Sequence, residues 1–250
     1  MKIAIAGKGG SGKTTLTAGL ALVYSQHKKT VIAVDCDPDM NLGIALGFPN
    51  PQKIVPITEM KELIAERTSS GEDSSGGYFK LNPKVDDIPE KFCPRHDNIR
   101  LIVMGKVQKA EGGCMCPENA FIKRLISHLV ISEEVVLLDM VAGTEHLGRG
   151  TAHAVDAFLI VAEPTHLGVS TGLHTQELAS SLGIDKVWFV GNKIQDKSDE
   201  DFLKNNLKTE PIGFLSFNKN LLTARGKFVF DERLKKELSD IYEGLNRRFK

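Results

Sequence analysis

Gly7-Lys8-Gly9-Gly10-Ser11-Gly12-Lys13-Thr14-Thr15 follows the short apolar run Ile3-Ala4-Ile5-Ala6 and opens into Leu16-Thr17-Ala18-Gly19-Leu20-Ala21-Leu22-Val23-Tyr24. The order reads as strand, glycine loop, helix. The loop satisfies the phosphate-binding pattern G-x-x-x-x-G-K-[ST], in which residues without side chains let backbone N–H groups curl around an anion at the positive end of a helix. Gly7 through Thr15 are therefore the expected nucleotide-binding residues, with Lys13 reaching the terminal phosphates and the Thr14 hydroxyl reaching Mg2+. The same residues also spell the dinucleotide pattern G-x-G-x-x-G, and Asp35 and Asp37 follow about where a ribose-binding acid would lie. Gly12-Lys13-Thr14-Thr15 breaks the tie, because a dinucleotide needs no cation and hydroxyl pair at that place.

Working outward, apolar runs recur at Thr30 to Asp35, Ile99 to Met104, Val135 to Asp139, Ala157 to Ala162, Val187 to Val190 and Ile212 to Phe217. Helical patterns fit between them, from Ser170 to Leu182 and more briefly from Glu59 to Arg67. Alternating strands and helices predict an α/β fold with a doubly wound, mainly parallel sheet, and the 250 residues are read as one domain spanning 1–250. Acids that end such strands sit at the rim where these sheets bind ligands. Asp139 is placed there to hold Mg2+, with Asp37 expected beside it at the ion. The stripe Leu234, Leu238, Ile241, Leu245 and Phe249 predicts a final amphipathic helix. Interleaved acids Glu237, Asp240 and Glu243 favour docking on the sheet over lying on a membrane.

Lysine plus arginine equals aspartate plus glutamate, 32 against 32, so the charge balance gives no support to a nucleic-acid partner. No apolar run is long enough to span a membrane, and a core strand beginning at residue 3 leaves no room for a signal peptide. The expected location is the cytoplasm, where the cysteines at 36, 93, 114 and 116 are expected as thiols. Cys36 and Cys93 read as packed thiols. Cys114-Met115-Cys116 differs, because alternate residues on extended backbone face one side and Gly112-Gly113 and Pro117 flank the pair. Both sulfurs can approach one soft ion, zinc, nickel or copper(I), with bonds of about 2.3 Å. Two thiolates fill half of a tetrahedral site, and a two-fold dimer would supply the other half. Pro117 suits the first position of a helix carrying Phe121, Ile122, Leu125, Ile126 and Leu129, so Cys116 would cap it and ionise below the free-thiol value.

Lys8 adds a second cation to the loop, and Lys-Gly-Gly-x-Gly-Lys-Thr-Thr resembles the deviant Walker motif of the ParA, MinD and nitrogenase-iron-protein superfamily. The resemblance implies an ATPase that dimerises with nucleotide, Lys8 crossing to the partner's phosphates and, with Lys13 and Asp37, serving catalysis. Charge neutralisation of that kind changes rates on the order of a thousandfold. It also implies switch segments at Asp35-Cys36-Asp37-Pro38-Asp39 and Met140-Val141-Ala142-Gly143, and adenine contacts from Asn192 with Lys193 beside it. Cys114-Met115-Cys116, Leu81-Asn82-Pro83-Lys84-Val85-Asp86 and Glu145-His146-Leu147 resemble one branch, the nickel-insertion ATPases that mature carbon monoxide dehydrogenase, with relatives acting on acetyl-CoA synthase. That resemblance implies ATP/ADP, Mg2+ and, at Cys114 and Cys116, Ni2+ or Zn2+, with the nickel enzyme as client. A positioning ATPase and an iron–sulfur carrier or reductase remain the alternative readings within the superfamily.

Overall fold

The computed structural model describes residues 1–69, 79–106, 117–131, 134–141, 155–223 and 230–249. In chain order the elements are β1 (Lys2–Gly7), α1 (Lys13–Gln26), β2 (Val31–Asp35), α2 (Leu42–Leu46), α3 (Lys61–Thr68), α4 (Ile88–Lys91), β3 (Arg95–His96), β4 (Ile99–Val103) and α5 (Pro117–Ile131). There follow β5 (Val135–Asp139), β6 (Ala157–Ala162), α6 (His166–Ser181), β7 (Val187–Ile194), α7 (Lys197–Asn206), β8 (Gly213–Ser216), α8 (Lys219–Thr223) and α9 (Glu232–Phe249). The strands make one eight-stranded sheet in the order β3-β4-β2-β5-β1-β6-β7-β8. Every pairing is parallel except β3 with β4.

The central strands are apolar nearly throughout because both of their faces are covered. Ala4, Val34, Leu138 and Ile160 enter one buried layer with Phe121, Leu125 and Leu129 of α5. Ile3, Ile5, Ala33, Leu137 and Leu159 enter the other, with Leu16 and Leu20 of α1 and Leu234, Leu238, Ile241 and Leu245 of α9. Alternate residues of one strand thus feed opposite layers, as the two-residue period requires. β1 lies at the centre, with β5 on one side and β6 on the other, so the loop leaving its carboxyl end emerges where the chain's winding changes direction.

The final helix docks as its stripe predicts. α9 packs on α1 and β8, and Leu234, Leu238, Ile241 and Leu245 are all buried. Its closest approach explains a glycine inside α1: a Cβ at Gly19 would lie 2.5 Å from Leu238 Cδ1. Among the described residues no helix is long and apolar enough to cross a membrane.

Several boundaries differ from the sequence reading, each for a local reason. α6 starts at His166 rather than Ser170 because Thr165 caps it, its side chain accepting from the Gly168 N–H at 3.0 Å. Ile57–Glu59 is a 3-10 turn, which delays the following helix to Lys61. β7 runs past Val190 to Ile194 through a register shift between Asn192 and Ile194, with Lys193 at φ 62°. The edge pair Arg95–His96 is too short to show as a pattern. After Ser69 the polar stretch from Thr68 to Gly77 falls outside the described residues, which resume at Phe79.

The α1–α9 contact yields a test. Leu238→Ala should lower unfolding free energy in urea by about 2–5 kcal/mol. Gly19→Ala alone should also destabilise, against alanine's higher helix propensity of about 1 kcal/mol, since Leu238 is 1 % exposed and has no room to swing aside. Combined with Leu238→Ala, the Gly19→Ala substitution should turn neutral or stabilising; simple additivity of the two changes would refute the close-approach explanation.

Candidate functional site

The loop after β1 is held in a shape that a phosphate would fill. Ser11 N–H closes a turn on the Lys8 carbonyl at 3.1 Å, and Gly12 adopts φ 100° as the residue preceding α1. From the far side Asn192 of β7 donates its amide to the Ser11 carbonyl at 2.6 Å. A Cβ at Gly12 would lie 2.0 Å from that Asn192 nitrogen, so glycine is required both for the dihedral and for the contact. α1 then begins with no side-chain cap and no acid in its first turn. Its first N–H groups and the positive end of its dipole are left for an anion to satisfy.

Lys13 is 7 % exposed and folds back so that Nζ donates to the Lys8 carbonyl at 3.2 Å. Burial pushes its pKa down, while Asp139 and Asp37 pull it up. A buried ammonium with one carbonyl partner gains from phosphate oxygens at the same place.

The acids come from neighbouring strands. Asp35 and Asp139 are register partners on β2 and β5 and project to the same side of the sheet, that of α1. Asp35 is already used by the fold: its oxygens accept from the Asp37 N–H at 3.1 Å and the Leu42 N–H at 2.9 Å. Burial still pushes its pKa up to about 6. Asp139 is more exceptional, since it is 1 % exposed and neither carboxylate oxygen finds a hydrogen-bond partner among the described residues. Burial pushes it up to about 7; the Thr14 hydroxyl pulls it back without completing a bond of normal geometry, Asp35 raises it and Lys13 lowers it. A buried, unsatisfied carboxylate facing a threonine hydroxyl at the phosphate loop fits Mg2+ well. Thr14 and Asp139 would hold the ion, directly or through water, and its charge would offset that developing on the phosphates. No larger group of histidine, cysteine or acidic ligands that could hold a metal occurs among the described residues.

Asp37 is half-buried near Lys13, with one oxygen accepting from the Asp39 N–H at 3.0 Å. Cys36 and Cys93 behave as packed thiols, burial pushing the first well up and the second up to about 12. Cys114, Cys116, Gly143, Glu145 and His146 lie outside the described residues.

Sequence reasoning missed Glu163. It follows β6 directly, is largely buried, and forms ion pairs with both Lys8, at 3.6 Å, and Lys193. The signal was available, since Glu163 directly follows a buried parallel strand, one position beyond where Asp35 and Asp139 end theirs. β6 pairs with β7 so that Ala162 sits opposite Gly191, which brings the residues that follow each of them together at the rim.

The orphaned carboxylate makes a prediction with a definite sign. An acid whose pKa is raised on folding contributes stability at low pH that is lost as pH rises through the folded value. Asp139→Asn removes that loss. In protein free of nucleotide and Mg2+, the variant should gain on the wild type between about pH 4 and pH 7, by roughly 2–4 kcal/mol at the upper end, and should lose the stabilisation that Mg2+ adds to nucleotide binding. Parallel stability curves for the two proteins across that range would contradict the burial argument.

Residues 2–227 match the family model described as the CobQ/CobB/MinD/ParA nucleotide binding domain. The chain is 44 % identical over 228 residues to the carbon monoxide dehydrogenase accessory protein CooC of Rhodospirillum rubrum, covering 90 % of this chain and 86 % of that one. It is 39 % identical over 249 residues to an uncharacterised ATP-binding protein of Methanocaldococcus jannaschii, covering 97 % and 96 %. Among solved structures, the MinC:MinD cell division complex of Aquifex aeolicus aligns with a TM-score of 0.73 at 21 % identity, over 98 % of this chain and 95 % of that one, a likeness of fold. With the loop, Lys8 and the Thr14–Asp139 pair in place, the chain belongs to the CobQ/CobB/MinD/ParA family of deviant-Walker P-loop ATPases.

Proposed function

We propose that this ATPase is a metallochaperone that loads nickel into carbon monoxide dehydrogenase or the related acetyl-CoA synthase. The observation that carries the reading is the similarity to CooC across nearly the whole chain, in a sequence that also holds Cys114-Met115-Cys116. The geometry is compatible. α5 opens at Pro117, the residue after Cys116 in the sequence, and is anchored by the buried stripe Phe121, Leu125 and Leu129.

In this reading Mg-ATP fills the loop, with Lys13 on the terminal phosphates, Thr14 and Asp139 on Mg2+, and Asp37 turned to the attacking water. Asn192, already tied to the loop, and Lys193 lie on the nucleotide's side. Lys8 reaches the nucleotide of a second copy, so ATP favours a paired state. Pairing brings two copies of Cys114 and Cys116 together and completes four soft ligands for one ion. Loss of the terminal phosphate removes the bias toward that state and releases the metal to its client.

The test is a nickel titration of the Mg-ATP-analogue-bound protein beside a Cys114→Ala/Cys116→Ala variant, with zinc as a second probe. The reading expects one ion per two subunits, at least a hundredfold loss of affinity in the variant, and unimpaired ATP binding by that variant. Nickel binding that survives removal of both cysteines would assign the ATPase a different cargo.

A further inference from the structure

We propose that Glu163 is a positioning residue that holds Lys8 against its own subunit, and that pairing of two copies must draw Lys8 off this carboxylate while Lys193 stays behind as its counter-ion. The inference rests on the proposed ATP-dependent pairing and names the contact that opposes it. Glu163 follows the last residue of β6, with a side chain only 12 % exposed, and it faces two cations. Lys193 reaches it from β7, from a bulged residue at φ 62°, a conformation that lysine rarely adopts. Lys8 reaches it from the phosphate loop at 3.6 Å, its own side chain 37 % exposed.

The two pairs are not equivalent. The Lys193 contact is the closer one and joins strands locked in register by the Phe158–Ala162 ladder, whereas Lys8 makes the longer contact, at 3.6 Å, from the phosphate loop. One carboxylate near two ammonium groups can release one and remain neutralised by the other, so a buried charge is never left alone. Lys8 is thus held by a contact strong enough to orient it and weak enough to give up. An ion pair of this exposure shifts an equilibrium by a few-fold. A symmetric pair of subunits breaks it twice, so the effect on pairing is about tenfold.

Two substitutions separate this role from a general loosening of the rim, because they have opposite expected signs. Glu163→Gln frees Lys8 and should let the Mg-ATP-analogue-bound protein pair at about tenfold lower concentration by sedimentation equilibrium. Lys193→Gln leaves Lys8 as the carboxylate's remaining cation among these three residues, and at saturating nucleotide should raise the concentration needed for pairing several-fold. Both differences should shrink as salt is raised from about 0.1 M toward 1 M, since they are electrostatic and partly exposed. Thermal unfolding of each variant checks that it is folded.

If the wild type pairs and both variants shift it in the same direction, or Glu163→Gln shifts it not at all, the latch is refuted while ATP-dependent pairing stands. If the wild type stays monomeric with the Mg-ATP analogue, pairing itself fails and the latch falls with it.

Discussion

The structure turns on a buried charge that the fold does not satisfy by itself. Asp139 sits at the carboxyl end of a central strand with neither oxygen bonded among the described residues, opposite the uncapped end of α1 and within the field of the buried Lys13. Each of these features is unfavourable alone: a desolvated carboxylate, a desolvated ammonium and open helix N–H groups. In the proposed reading a magnesium nucleotide would answer all of them together, with phosphates for the helix end and Lys13 and a cation for Asp139. Ligand binding to such a site adds directly to folded-state stability. The sheet, α1 and α9 form the packed frame that positions these groups.

That frame was largely legible in the sequence. Ile3–Ala6, Val135–Leu138 and Ala157–Ala162 are apolar without alternation because both faces of the parallel sheet are covered, and each became a buried strand. The stripe Leu234, Leu238, Ile241 and Leu245 showed which face of the last helix would dock. Gly12 and Lys13 were readable because the phosphate loop is contiguous, all its parts supplied by one turn of chain. Asp139 was readable as an acid ending an apolar strand.

What was not legible depended on contacts between distant segments. Glu163 meets Lys8 and Lys193 only because β6 lies between β1 and β7 in the sheet, an order no local pattern states. The contact of Asn192 with the Ser11 carbonyl joins residues 181 positions apart. Lys193 occupies a bulge at φ 62° that its residue type would not suggest.

The central claim is that nucleotide and metal act on one equilibrium, separate copies against paired ones. Thermodynamic linkage makes their effects reciprocal: whatever factor ATP adds to the affinity for nickel, nickel must add to the affinity for ATP. The most direct measurement is calorimetric titration of a nonhydrolysable Mg-ATP analogue into the protein, with and without saturating nickel, at one subunit concentration. The account predicts tighter nucleotide binding with nickel present, on the order of tenfold, with ADP insensitive to the metal. Equal analogue affinity in the two titrations would mean that the phosphate loop and the cysteines do not communicate, and would contradict the account.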